Sequence, residues 1–137
     1  MRTNPVRLVD EFMRLIEFDS PSYDERKLAD YVMDRLHGLG LFVLEDGAGD
    51  KIGGSCGNVY GLMKGDDSLP PLMFCAHLDT VDPCRGKRAV LAPNGKIMSR
   101  SGTVLGADDL SGVAAILEAL TVLSEEGTRH GPIEVLF

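Results

Sequence analysis

Three side chains of this sequence have the types and spacing to do chemistry together: His77, Asp79 and Asp108. The segment FCAHLDTVDP (74–83) runs apolar up to an imidazole and delivers a carboxylate two residues later. Residues i and i+2 of extended chain point to the same side, so His77 and Asp79 share a face. A neutral imidazole is a good zinc ligand, and a nearby carboxylate can fix its tautomer and orientation. The same residues also read as a strand-end histidine with a capping aspartate. In GADDLSG (106–112), Asp108 and Asp109 open a helix, where either also reads as a plain N-cap. Adjacent carboxylates repel and favour a cation beside them. One carboxylate can bridge two metals about 3.5–4 Å apart, as two-metal hydrolytic sites require. Gly106, Ala107, Ser111 and Gly112 keep the surroundings small enough for close approach of backbone or ligand.

The elements that must position these groups follow from periodicity. Asn4 and Pro5 start a helix whose apolar stripe reads Val6, Val9, Phe12, Met13 and Ile16. Ser22 and Glu25 fit a capping box for a second helix carrying Leu28, Ala29, Val32, Met33 and Leu36. LFVLED (41–46) and NVYGLMKG (58–65) read as strands. The glycine-rich GAGDKIGGSCG between them reads as a loop, a hairpin connection or an excursion; it lacks the setting of a phosphate loop. LMFCAH (72–77) is a continuous apolar run, the mark of a strand covered on both faces. Asn94-Gly95 marks a turn before another short strand, and 109–127 forms a third helix with Val113, Ile116, Leu117, Leu120 and Leu123 on one side. PIEVLF (132–137) starts a further buried strand. Helices interleaved with apolar strands predict an α/β fold: three layers, α/β/α, with a mixed, largely parallel sheet between helices, incomplete in this chain. In such sheets ligands collect beyond the carboxyl ends of strands, where both acidic stretches lie.

Composition narrows the function. The net charge is -7, from 21 acids against 14 bases, which argues against nucleic acid as a partner. No apolar run approaches the length of a membrane-spanning helix, and the N-terminus carries acids inside its apolar pattern, unlike a secretion signal. Cys56, Cys75 and Cys84 form no CxxC pair, so a disulfide framework and a structural zinc knuckle are both unsupported, and a reducing cytoplasm is expected. Cys75 reads as a small core residue. His37 reads as a helix C-terminal histidine, His130 as a turn residue at the wrong end of the last strand, and Glu125 and Glu126 as solvated acids closing the third helix.

FCAHLDTVDP, RSGTVLGADDLSGVAAILEAL and HGPIEVLF together resemble the N-terminal part of the di-zinc peptidases related to peptidase T, the tripeptide aminopeptidases. The wider family also holds aminoacylases, carboxypeptidases and a desuccinylase. The resemblance implies that residues 1–137 are the N-terminal portion of a zinc-peptidase catalytic domain, without the lid and dimerisation domain. It implies that His77 binds one of two zinc ions, that Asp79 orients that imidazole as part of the catalytic machinery, and that Asp108 bridges both metals. It also implies a cis peptide bond between Asp108 and Asp109. Leu110-Ser111 stands where the family's motif usually has Lys-Ala, a departure on the helix surface and not among the ligands.

The resemblance further implies a general-base glutamate and a metal-binding glutamate just after the strand that IEVLF begins, positions that lie past Phe137. More ligands would come from farther on. The expected function is therefore metal-dependent hydrolysis of short peptides by a full-length enzyme, with this chain inactive alone. Two alternatives stay open: a deacylase or amidohydrolase of the same family, and a non-catalytic truncated domain. For the last, an unfinished sheet edge invites pairing, so a homo-oligomer is a further expectation.

Overall fold

A computed structural model describes residues 2–100 and 102–137. Helix α1 (Pro5–Ile16) begins where expected. Asn4 Oδ1 accepts the Val6 and Arg7 N–H groups at 3.1 Å each, and Pro5 occupies a position that needs no N–H. Its buried stripe is Phe12, Leu15 and Ile16. Val6, expected on that stripe, is 69% exposed. At about 100° per residue it lies half a turn round the helix from Leu15.

Helix α2 (Arg26–Gly38) buries Leu28, Ala29, Val32 and Leu36. The expected capping box does not form, because no side chain caps this helix. Ser22 is drawn away to Asp79, and Glu25 Oε1 accepts the Tyr23 N–H at 2.7 Å instead of closing the box. Strands β1 (Phe42–Glu45) and β2 (Val59–Met63) are antiparallel, so the glycine-rich segment is a hairpin connection. It carries a short helix, α3 (Ala48–Ile52), that glycine content concealed. Asp46 Oδ1 turns the chain there by accepting the Ala48 and Asn58 N–H groups.

Strand β3 (Leu72–Cys75) leads to a separate hairpin, β4 (Ala89–Leu91) and β5 (Ile97–Ser99), closed at Asn94-Gly95. Helix α4 (Ala107–Glu126) then returns the chain to β6 (Ile133–Leu136). The main sheet has the order β1-β2-β6-β3. It is mixed: β3 pairs parallel to β6, whereas β1–β2 and β2–β6 are antiparallel.

The long helices pack on one face of this sheet. Gly61 faces Val135 across the β2–β6 ladder, and a Cβ at Gly61 would touch Leu36 of α2. Leu72 and Phe74 look towards Ile116 and Leu120 of α4, with Ile133 between. Of the three expected layers, the described residues supply the sheet and one helical layer. The opposite face carries Phe42, Leu44 and Met73, all exposed. This corrects two expectations. β3 is not covered on both sides: it is an edge strand, exposed along its length. Cys75 falls with Met73 on the bare face and is exposed, not a core residue. Continuous apolarity marked surface that no other described residue covers.

Helix α4 is the centre of the core, with Leu110, Val113, Ala114, Leu117 and Leu120 almost fully buried. It is locked to α1 by a buried carboxylate. The Glu118 side chain is 3% exposed and accepts Arg7 Nε at 2.6 Å and the Asn4 N–H at 2.7 Å. Arg7 also reaches Glu125, so that acid holds α1 and is not simply solvated. The Arg7 guanidinium holds Glu118 below the usual carboxylate range, against the opposing pull of burial. Because the folded value is depressed, the stabilisation is complete above about pH 4.5, the ordinary glutamate value, and is lost as pH falls through the depressed one. Glu118→Gln is expected to be less stable at pH 7 and to show a flatter acid limb; urea midpoints measured between pH 3 and 7 check this.

Candidate metal centre

The segment after β3 alternates outward and inward. Leu78 and Thr80 are buried, so His77 and Asp79 between and before them turn outward. Thr80 is tied down by its N–H to Ser20 O at 2.8 Å. Pro21 forms a parallel bridge with Thr80, which brings the chain after α1 alongside the tip of β3.

The second acid arrives on the amino end of α4. Gly106 has φ +82°, a left-handed conformation that turns the chain into the helix. The Asp108–Asp109 peptide bond is cis, as the resemblance implied. Both aspartates have non-helical backbone angles, and regular helix begins at Leu110. Asp109 thus stands directly before the regular helix, and among the described residues no side-chain cap hydrogen bond forms at the amino end of α4. Asp108 projects outward with its side chain 97% exposed. Asp109 turns the other way, over Gly112, where a Cβ would lie 2.4 Å from its Oδ1. The close approach expected at Gly112 is thus made by the neighbouring carboxylate.

His77, Asp79 and Asp108 converge. His77 Nε2 lies 3.1 Å from Asp108 Oδ1. Nδ1 lies 3.0 Å from the Asp79 carbonyl oxygen and 3.0 Å from Asp79 Oδ1. Ser22 Oγ donates to Asp79 Oδ2 at 2.5 Å. Both ring nitrogens therefore face acceptors, and a neutral imidazole has one N–H to give. Two states satisfy the arrangement: an imidazolium, or a ring that keeps its Nδ1 proton and offers Nε2 to a cation. Burial pulls the His77 pKa down, but the Asp108 hydrogen bond and the Asp79 carbonyl and carboxylate outweigh it, so the imidazole titrates above its usual value. Ligands of one tetrahedral zinc, each bonded at about 2.0–2.1 Å, stand roughly 3.3 Å apart. The 3.1 Å spacing of His77 Nε2 and Asp108 Oδ1 fits such a pair.

Two donors alone would fill only part of a coordination shell. Among the described residues no group of three or more His, Cys, Asp or Glu side chains could enclose a metal ion. His37 is exposed in the last turn of α2, and His130 contacts the Gly131 carbonyl before β6. Glu125 and Glu126 lie at the far end of α4. A cavity of about 380 Å³ opens beside His77 and Asp79, lined also by Tyr23, Ile52 and Cys56. A second, of about 320 Å³, lies between His77, Val81, Leu105 and Asp108. Sequence reasoning missed Ser22, which it assigned to a helix cap; its partner Asp79 lies 57 residues away and no local signal links them.

The backbone of this chain superposes on solved peptidases. It matches a tripeptidase from Staphylococcus aureus with TM-score 0.94 and 33% identity, over 98% of this chain and 36% of that one. Against the aminopeptidase PepT from Bacillus cereus ATCC 10987 the TM-score is 0.93 at 35% identity, with the same two coverages. The cytosol non-specific dipeptidase of Escherichia coli (strain K12) is 32% identical over 145 aligned positions, 97% of this chain and 27% of that protein. The fold is thus that of solved peptidases. The chain belongs to Peptidase family M28, whose profile matches residues 58–137 and so includes β3, both acidic stretches and α4. It spans about a quarter to a third of the length of the relatives it matches.

In metal-free protein, His77 is expected to titrate above the ordinary histidine value, and Asp108→Asn to bring it down. Proton NMR of the imidazole through a pH series reads both. Equal values in the two proteins would remove the Asp108 contact from the account.

Proposed function

We propose that this chain supplies the first half of a two-zinc centre in an enzyme that hydrolyses short peptides. The observation that carries the reading is the pair formed by His77 Nε2 and the outward-facing Asp108 carboxylate, 3.1 Å apart at the strand rim. His77 would be a ligand to one metal through Nε2, and Asp108, its side chain 97% exposed, would serve as a ligand shared by both. Asp79 accepts a hydrogen bond from the Nδ1–H of His77 and so holds the ring in the tautomer that frees Nε2, and Ser22 in turn orients Asp79. Bound zinc polarises a peptide carbonyl and lowers the pKa of a bound water to near 7.

The likeness to a tripeptidase and to aminopeptidase PepT, each above 30% identity, supports peptides over acylated amino acids as substrates. The cytosol dipeptidase likeness and three free cysteines support a cytoplasmic setting. Among the described residues no helix is long and apolar enough to cross a membrane. Among the described residues no glutamate pairs with His77 or Asp108, and hydrolysis at this rim would need a proton acceptor besides them. The bare sheet face and the open β3 edge also suit the non-catalytic alternative, a domain that assembles through its sheet.

Zinc content and competition with a chelating dye test the reading. His77→Ala and Asp108→Ala are expected to abolish the site, and Asp79→Asn to weaken zinc affinity about 10–100-fold. Chelation is expected to stop tripeptide hydrolysis by the full-length enzyme and zinc to restore it. Equal zinc affinity in wild type and His77→Ala would sink the proposal.

A further inference from the structure

Lys87 is 0% exposed, yet no carboxylate among the described residues forms an ion pair with it. Its Nζ donates to Thr80 Oγ1 at 2.9 Å and to Ser20 Oγ at 3.5 Å. Burial pushes its ammonium below the ordinary lysine value. An ammonium held in the interior on hydroxyl oxygens is a poor device for stability. Replacing a buried charge by an apolar side chain of similar volume is often neutral or stabilising. The residue therefore calls for another account.

Its neighbours supply one. Thr80 follows Asp79, Ser20 comes two residues before Ser22, and Gly106 comes two residues before Asp108. Thr80 and Ser20 are themselves buried and joined by the Thr80 N–H to Ser20 O bond. A Cβ at Gly106 would meet Thr80 Cγ2 at 2.9 Å and Lys87 Nζ at 3.2 Å, so the turn into α4 rests directly on this pair. The loop that brings Lys87 here is pinned by the Gly86 N–H to Asp19 Oδ1 at 2.7 Å. One buried ammonium thus lies behind all three segments that reach the rim: 20–22, 77–80 and 104–108. None of these segments is hydrogen-bonded to the others through a regular sheet ladder, apart from the single Pro21–Thr80 bridge.

We propose that Lys87 is a positioning residue of the metal centre: its buried ammonium fixes Thr80, Ser20 and the Gly106 turn against one another, and through them sets Asp79 behind His77 and Asp108 in front of it. Lys87 touches neither the metal nor the substrate. The role rests on the metal reading of His77 and Asp108 given above.

The test uses zinc as the probe and the full-length protein. Lys87→Met keeps the length of the side chain and removes the charge. Its Tm is expected to equal or exceed that of wild type, while zinc affinity, read by chelator competition, falls at least tenfold. Amide exchange is expected to rise at Thr80 and across 105–109 and to stay unchanged in α1 and α2. If Lys87 acts through Asp79, the double variant Lys87→Met, Asp79→Asn loses little more affinity than Asp79→Asn alone. Thr80→Val removes the acceptor hydroxyl at nearly constant shape and is expected to repeat the zinc loss; it decides the matter if Lys87→Met does not fold. Wild-type zinc affinity in the folded Lys87→Met protein, or in Thr80→Val, overturns the positioning role and leaves the metal centre standing. A wild-type protein that binds no zinc overturns both.

Discussion

The parallel pairing of β3 with β6 is the constraint from which the site follows. Two parallel neighbours cannot be joined by a tight turn, so the chain must cross back over the sheet, and it does so through α4. A crossover helix runs opposite to the strands it joins. Its amino end therefore returns to the level where the first strand ended. That geometry brings Asp108 to His77 across an interval of sequence that contains a separate hairpin. No local preference of either acidic stretch would do it. In open α/β sheets the carboxyl rim collects ligands for this reason.

Holding that rim to within a hydrogen bond requires α4 to be immobile along its axis. Its apolar side is buried against the sheet and α1, and Glu118, ten residues beyond Asp108, is clasped by Arg7 and the Asn4 N–H. An unpaired carboxylate at that depth would be costly; with donors from Arg7 of α1 and from its cap residue Asn4 it becomes a register pin. The rim side is held differently, by short-range alternation. Leu78 and Thr80 enter the core, so His77 and Asp79 have no choice of face. Packing sets where the segments lie, and polar contacts at Asp79 set how the imidazole is turned.

The sequence disclosed most of the elements and all three rim residues. Helix α1 was readable because Asn4-Pro5 is a local start signal, and α4 because its stripe is long. His77 and Asp79 were readable because a polar pair at period two breaks an apolar run. What escaped reading was decided by distant partners. Ser22 and Glu25 carry a valid capping pattern, but Asp79 competes for the serine and Tyr23 for the glutamate. The apolar run at 72–77 suggested a strand covered on both faces, but apolarity along a strand does not fix its place in the sheet, and β3 is an exposed edge. Lys87 in RGKR carries no local signal of burial; only the fold brings it under Thr80.

The bare face of the sheet has a consequence for the chain as a colloid. Phe42, Leu44 and Met73 present short-range attraction, while a net charge of -7 supplies repulsion that reaches farther. At low ionic strength the repulsion keeps copies apart before their apolar faces meet. At about 0.15 M salt its range shrinks to roughly 8 Å, and attraction acts almost unopposed. The dispersed state of these residues in water is thus set by the ionic medium as much as by the fold, with acidity serving as the insulation that a second helical layer would otherwise provide.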